Sequence, residues 1–273
     1  MWSIEKRRGL DVAVCGEFNA VPRLIQAFST RGGGESGGLF QTLNLSFQVG
    51  DEAEKVLQNR SAFCGALGIR PELLTCCEQV HGTDVAVVSG SDTGSGAAMR
   101  QNSIRGCDAM VTDVPGIPLF TVHADCIPLF LYDPRHKAIG LAHAGRKGTG
   151  GGIGGAVLLK MRDAFGSKPE DCLAAIGPGV GACCYDTDEQ TAAVFVKWPR
   201  GVLDAGESMH GSPHFFLDLA LINKLQIVEA GVREENVFIA PWCTSCRPDL
   251  FFSYRRDRGA TGRMGAVIMI SSP

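Results

Sequence analysis

Residues 123–145 read HADCIPLFLYDPRHKAIGLAHAG: two apolar runs joined by a turn, with HADC before the first and HAG after the second. Cysteine and histidine are the side chains best suited to holding a soft divalent metal. Here they stand at matching ends of what reads as one hairpin. Asp133-Pro-Arg-His136 is a turn sequence with proline at its second position. If Tyr132 faces Lys137 across it, Phe130 faces Ile139 and Cys126 faces His143. Directly opposed residues have Cβ atoms about 4.5–5.5 Å apart, close enough for a thiolate and an imidazole to share one ion.

A catalytic zinc takes three protein ligands and keeps a fourth position open, so a third ligand must come from elsewhere. His136 sits in the turn, and His210 and His214 lie in the polar HGSPH stretch; all three read as surface residues. His123 projects from the other face if the segment is extended, and reads as a supporting or structural group. His81, in EQVHGTDV, remains as the candidate. Other cysteines compete. Cys243-Thr-Ser-Cys246 has the spacing of half a structural zinc site or of a redox pair, but no second CxxC completes a four-thiolate set. Cys76-Cys77 and Cys183-Cys184 are adjacent, poor as two donors to one ion, and read as buried or structural.

The elements that must position these groups are legible in outline. Asp51-Glu-Ala-Glu54 resembles an acidic capping box opening a helix that Gly68 ends. Further helices are expected over 153–165, 188–198 and 217–230. Apolar runs at 85–88, 109–114, 117–122, 127–132, 138–142, 237–240 and 266–270 read as strands. They arrive in groups rather than in strict βαβ alternation, which favours an α+β fold with mixed sheets. SGSDTGSG (89–96) opens a polar stretch expected to be a mobile loop. GTGGGIGG (148–155), after Arg146 and Lys147, reads either as an anion cradle at a helix start or as a tight strand-to-helix turn.

No composition shift marks a boundary, so residues 1–273 are expected to form a single domain, its first 20 or so residues peripheral. A net charge of −3 gives no global electrostatic case for binding nucleic acid or an anionic membrane. There is no apolar run long enough to span a bilayer. The N-terminus lacks the apolar core of a secretory signal, and the odd count of eleven cysteines fits a reducing compartment; the expected location is cytoplasmic.

Several separated motifs carry a resemblance. TRGGGESGGLFQTLNLSFQVGDEAEKVLQNR (30–60), EQVHG (78–82), ADCIPL (124–129), HAGRKGT (143–149), IGPGVGACCYD (176–186) and the stretch from CTSC to TGR (243–263) stand in the order and nearly the spacing of the laccase-domain family. That family was first labelled multicopper polyphenol oxidoreductase. Its members are now regarded as purine nucleoside phosphorylases with adenosine deaminase and methylthioadenosine phosphorylase side activities. The resemblance implies one domain of mixed β-sheets sandwiched by outer helices, with the site in a cleft at strand ends. It also implies zinc on the histidine of QVHG, the cysteine of ADC and the histidine of HAG, here His81, Cys126 and His143. Arg31, Asn44 and Arg60 fall in matching motifs and are candidate substrate-binding groups; for Arg60 the alternative is an exposed helix arginine facing Glu52 or Glu54. After HAG the family usually has an aromatic and then an arginine, where this chain has Arg146 and Lys147. The positive charge is kept and the aromatic is lost.

The implied partners are purine nucleosides and phosphate, not nucleic acid or membrane, and the implied cofactor is one zinc ion. Copper oxidase chemistry needs more imidazoles than six histidines furnish. Phosphorolysis or deamination each needs a proton carrier. Asp125, beside Cys126, and Glu78, near His81, are the nearest carboxylates, and Asp125 could instead orient a ligand histidine. Two rivals remain: an amidase that edits cell-wall precursors, using Cys126 as nucleophile, and a non-catalytic nucleoside-binding protein.

Overall fold

A computed structural model describes residues 1–207 and 213–272. His210 lies outside the described residues. The strands, in chain order, are β1 (Trp2–Arg7), β2 (Leu10–Cys15), β3 (Leu24–Ser29), β4 (Thr75–Cys76), β5 (Val85–Val87), β6 (Ala109–Thr112), β7 (Leu119–His123), β8 (Ile127–Asp133), β9 (Ala138–Ala144), β10 (Leu173–Ile176), β11 (Asp186–Asp188), β12 (Val202–Glu207), β13 (Pro213–Leu217), β14 (Val237–Ile239) and β15 (Met264–Ile270). The helices are α1 (Gly16–Asn19), α2 (Ala53–Leu67), α3 (Arg146–Gly150), α4 (Ile153–Phe165), α5 (Glu189–Ala193) and α6 (Leu219–Glu229).

Two six-stranded mixed sheets, ordered β1-β2-β3-β15-β7-β4 and β14-β10-β8-β9-β6-β5, carry the fold, and a small sheet β11-β13-β12 flanks them. The large sheets face each other across a core that includes Trp2, Phe28, Phe130, Leu141, Met264 and Ile268. The outer face of the second sheet packs Leu129 and Leu131 against Ile153, Val157 and Met161 of α4 and Ile227 of α6. The outer face of the first sheet buries Val267 with Phe63 of α2 and the loop residues Leu43 and Leu45. Strands with both faces covered read as near-continuous apolar runs, which is why IPLFLY and AVIMI stand out. The expected α+β fold of mixed sheets between outer helices is the fold found. The N-terminal strands β1 and β2 form the edge of the first sheet, and Trp2 packs its ring against Phe130 at 6.2 Å.

Helix ends follow local chemistry. Gly68 closes α2 in the left-handed region (φ 70°), its N–H bonding to the carbonyls of Cys64 and Gly65. The acidic capping box does not form at the other end. Glu52 caps α2 without a side-chain bond, because the Asp51 carboxylate is engaged by Ser36 and Asn44. The helix expected over 188–198 stops at Ala193, with Asp188 capping Thr191. The polar stretch after Ser89 is folded in short turns, Gly90–Asp92 and Arg100–Asn102. It is fastened by Arg60, which donates to the carbonyls of Gly96 and Ala97. Among the described residues no helix is long and apolar enough to cross a membrane.

Candidate metal centre and cleft

The hairpin β8–β9 forms with Asp133 opposite Ala138 and Pro128 opposite His143. The expected register had Tyr132 opposite Lys137, so the pairing is displaced by two residues. The cause is local. Lys137 lies in the left-handed region (φ 52°) and belongs to the turn. Asp133 stays in the strand while its carboxylate accepts the N–H groups of Arg135 and His136 at 2.8 and 3.2 Å. Because side chains alternate with period two, a two-residue displacement leaves every residue on its expected face. Cys126, one residue before β8, therefore reaches His143 on the diagonal.

His81, Cys126 and His143 come together, their ligand atoms all within 4.8 Å of one another. The ring of His81 meets that of His143 edge-on at 4.9 Å. Gly145 makes room: a Cβ there would lie 3.0 Å from the Cys126 Sγ and 3.1 Å from the His81 ring. Two imidazoles and one thiolate suit zinc, with bonds of about 2.0–2.1 Å to nitrogen and about 2.3 Å to sulfur. The donor set fits one such ion after a small contraction.

Asp108 organises the trio, and sequence reasoning missed it. The register Ala109 opposite Ala142 sets Asp108 beside His143, and Asp108 Oδ1 accepts from His143 Nδ1 at 2.9 Å. That bond puts the ring proton on Nδ1 and leaves the Nε2 lone pair for the cluster. The same carboxylate accepts the backbone N–H groups of Val80, His81 and Gly82 at 3.0, 2.9 and 2.7 Å. It thereby fixes the loop in which His81 adopts φ 64°. Gln79 clamps this loop to β7, exchanging two bonds with the backbone of Val122 at 2.8 and 2.9 Å. Burial works against ionising Asp108, yet the His143 bond and the loop amides hold its carboxyl below the ordinary range.

Burial also opposes charge on Cys126 and His143, but each stabilises the other's ion. The thiol is brought down to about 6, with His143 and then His81 as the opposing influence. The imidazole is raised to about 9 by Cys126 and Asp108. Without metal, the pair is a thiolate–imidazolium between those values, and metal binding must displace the imidazolium proton. His123 sits behind the trio, buried, with Nδ1 at 3.0 Å from the Cys126 carbonyl and Nε2 at 2.8 Å from Thr121 Oγ1. Burial, then the charge of His143, pushes its pKa far down. As a neutral ring it donates to the carbonyl and accepts from the hydroxyl.

The trio lines a cleft of 570 Å³. Arg146, Arg255, Arg258 and Arg263 stand around it, together with Tyr185 and Tyr254. Arg255 lies over the Tyr185 ring at 5.4 Å and Arg263 over the Tyr254 ring at 5.7 Å. Arg146 donates to Thr191 Oγ1 at 3.0 Å. Apart from Arg146, these wall residues were not singled out, although the arginine-rich polar stretch SYRRD…TGR was the sequence signal for Tyr254 and the three arginines, and ACCYD carries Tyr185.

Of the other candidates, only Asp125 lines the cleft. Lys147 is exposed beside Arg146 and does not line the cleft. Asn44 is buried and acts at one remove, its Oδ1 accepting the backbone N–H of Arg263 at 3.0 Å. Arg31 fastens loops, donating to the carbonyls of Gln41 and Pro248. Arg60 is buried rather than exposed, donating to the carbonyls of Leu45, Gly96 and Ala97 between the rings of Phe47 and Phe120. The Asp125 carboxylate lines the cleft and accepts from Thr244 Oγ1 (2.6 Å), Ser253 Oγ (3.0 Å) and the Arg255 N–H (2.6 Å). Glu78 accepts the Gly106 N–H at 3.0 Å. No residue of the KGTGGG segment borders the cleft, which Arg146 just before it does; Gly148 is buried, and a Cβ there would lie 3.0 Å from the Gly82 carbonyl. Gly148 thus serves close packing of the helical turn on the His81 loop.

Comparison with known proteins is informative over nearly the whole chain. Residues 25–271 match the family model described as multi-copper polyphenol oxidoreductase laccase. A relative from Geobacillus stearothermophilus named purine nucleoside phosphorylase YlmD is 39% identical over 246 residues, 89% of each chain. One from Bacteroides thetaiotaomicron named purine nucleoside phosphorylase is 35% identical over 89% of this chain and 90% of its own length. The crystal structure of YlmD from Geobacillus stearothermophilus superposes with a TM-score of 0.90 at 36% identity, covering 98% of this chain and 99% of that one.

Proposed function

This chain belongs to the multi-copper polyphenol oxidoreductase laccase family, and from that premise we propose that it is a zinc-dependent purine nucleoside phosphorylase. The carrying observation is the His81/Cys126/His143 cluster beside a cleft walled by arginines and tyrosines. Phosphorolysis needs a cationic seat for phosphate, a surface for the purine, and a means of stabilising charge as the glycosidic bond breaks.

The guanidinium groups of Arg146, Arg255, Arg258 and Arg263 supply the cationic seat, and their planar forks suit phosphate oxygens. Tyr185 and Tyr254 offer ring faces to the base. His81, Cys126 and His143 would hold the zinc, which would supply Lewis acidity there when bound. Asp108 keeps the two histidines in place for that role. Asp125 acts as a positioning residue, its oxygens already taken by donors that draw the Thr244 and Arg255 segments to the Cys126 strand end. Adenosine and methylthioadenosine belong to the proposed substrate range with inosine and guanosine, and adenosine deamination is a proposed side activity of the same centre.

The test is incubation of the zinc-loaded protein with inosine and phosphate, followed by chromatography. Hypoxanthine and ribose 1-phosphate should accumulate in a phosphate-dependent manner. Turnover no greater than that of a His81→Ala control would overturn the proposal. The Cys126–His143 ion pair favours one alternative, the cysteine amidase. That reading requires an amide substrate to be cleaved faster after zinc removal, the opposite metal dependence. The copper oxidase reading lacks donors: among the described residues His123, His136 and His214 are engaged by Thr121, Asp133 and Asp186.

A further inference from the structure

A second cluster of soft ligands lies outside this centre. Cys183, Cys184, Cys243 and Cys246 have their sulfurs within 4.8 Å of one another. The Cys246 Sγ is 3.5 Å from that of Cys183 and 3.4 Å from that of Cys184. A disulfide would require about 2.05 Å. Four sulfurs placed tetrahedrally at about 2.3 Å from one zinc lie roughly 3.8 Å apart. The missing half of the CTSC motif is therefore an adjacent pair some sixty residues earlier, the Cys183 and Cys184 expected to be buried or structural. They are not buried: Cys183 is exposed and Cys184 half-buried.

We propose that Cys183, Cys184, Cys243 and Cys246 form a structural site for a soft divalent cation, zinc foremost, distinct from the His81/Cys126/His143 centre. The surroundings suit thiolates. The Gly181 N–H donates to the Cys243 Sγ at 3.2 Å. A side chain at 181 would crowd the cluster, a Cβ there lying 3.4 Å from the Cys183 Sγ and 3.3 Å from the Cys243 Cβ. Arg256, paired with Asp257, donates to the carbonyls of Thr244 and Ser245 at 3.0 and 3.3 Å and fastens the loop. Two exposed cysteines give the ion an entry path. On binding, the four thiols release four protons to solvent and form four metal–sulfur bonds, leaving a dianionic centre.

The site joins two segments that build the cleft. Gly179 bridges to Cys243, and the Thr244 N–H bonds to the Gly179 carbonyl at 2.9 Å. Tyr185 follows Cys184 directly, while Thr244, inside the CTSC loop, holds Asp125. A cation here clips the Tyr185 wall to the Thr244 segment without touching substrate.

Metal analysis of the full chain, purified with zinc and freed of loosely bound ions, tests this independently of any activity. The wild type should carry two zinc equivalents. The His81→Ala/His143→Ala and the Cys243→Ser/Cys246→Ser variants should each carry one. X-ray absorption on the histidine variant should then find only sulfur around the remaining ion, so the result stands even if the serine variant folds poorly. A single equivalent in the wild type that the histidine substitutions abolish would refute the site. So would an unreduced protein mass lower by two hydrogens that maps to a bond between Cys246 and Cys183 or Cys184.

Discussion

Replacing Asp108 by asparagine tests whether one carboxylate holds the metal centre together. In the wild type four donors converge on it: His143 Nδ1 and the His81 N–H on Oδ1, and the Val80 and Gly82 N–H groups on Oδ2. Asparagine keeps one oxygen, so two donors come to face an NH₂ that cannot accept. Each unsatisfied buried donor costs about 1–3 kcal/mol. The loop is only partly buried, so the low end applies, and the loss should be about 2 kcal/mol. For a chain of this size that lowers the thermal midpoint by roughly 4–8 °C. Loss of the carboxylate–histidine pair should also weaken zinc binding about 10–100-fold. Chelator competition in the Cys243→Ser/Cys246→Ser background reads the histidine centre alone, and thermal unfolding of the metal-free protein reads the loop. Affinity within threefold of the parent, together with an unchanged midpoint, would refute the assigned role of Asp108.

Gly145→Ala should weaken zinc binding at least about tenfold, because its Cβ presses on Cys126 Sγ and the His81 ring; the same chelator titration measures it. Arg60→Ala should lose about 3 kcal/mol of stability, since three carbonyl bonds to a buried cation disappear. Its KM for phosphate should not change, whereas Arg146→Ala should raise that KM about tenfold, a loss of ~1.4 kcal/mol, at an unchanged midpoint; denaturation and steady-state kinetics separate the two. Asp133 is buried, which disfavours its charge, but Ser167, His136 and the turn amides hold its carboxyl below the ordinary value. Its contribution is therefore complete above the unfolded value of about 3.9 and is lost as pH falls through the lower folded value. The stability gap between wild type and Asp133→Asn should be widest near neutrality and close in acid, as denaturant melts across pH would record.

Much of the frame was legible because burial on both faces leaves a mark in sequence. The 127–132, 138–142 and 266–270 runs of β8, β9 and β15 are apolar, and Gly68 and Gly166 end α2 and α4 where expected. Polar strand β1, with only its first residue buried, left no such mark and went unseen. The hairpin register missed by two because nothing in DPRHK tells whether lysine extends the strand or completes the turn. Arg60 was legible as a cation but not as a buried one, because its acceptors are carbonyls, which have no sequence signature.

By itself the sequence offered the candidate ligand types and their order, since only a few side chains can hold a soft metal and two of them stand at the ends of apolar strands. Period-two alternation preserved the facing of Cys126 and His143 even through a mistaken register. Tertiary structure alone decided what supports and surrounds them. Asp108 reaches His143 because β6 pairs with β9, a strand distant in the chain. The arginines of the 255–263 segment reach the cleft because Asp125 draws that segment across more than a hundred residues. Two cysteine pairs, each poor as a metal site, meet because Gly179 bridges to Cys243. Local sequence fixes which groups can coordinate or donate, whereas strand pairing between remote segments fixes which of them meet.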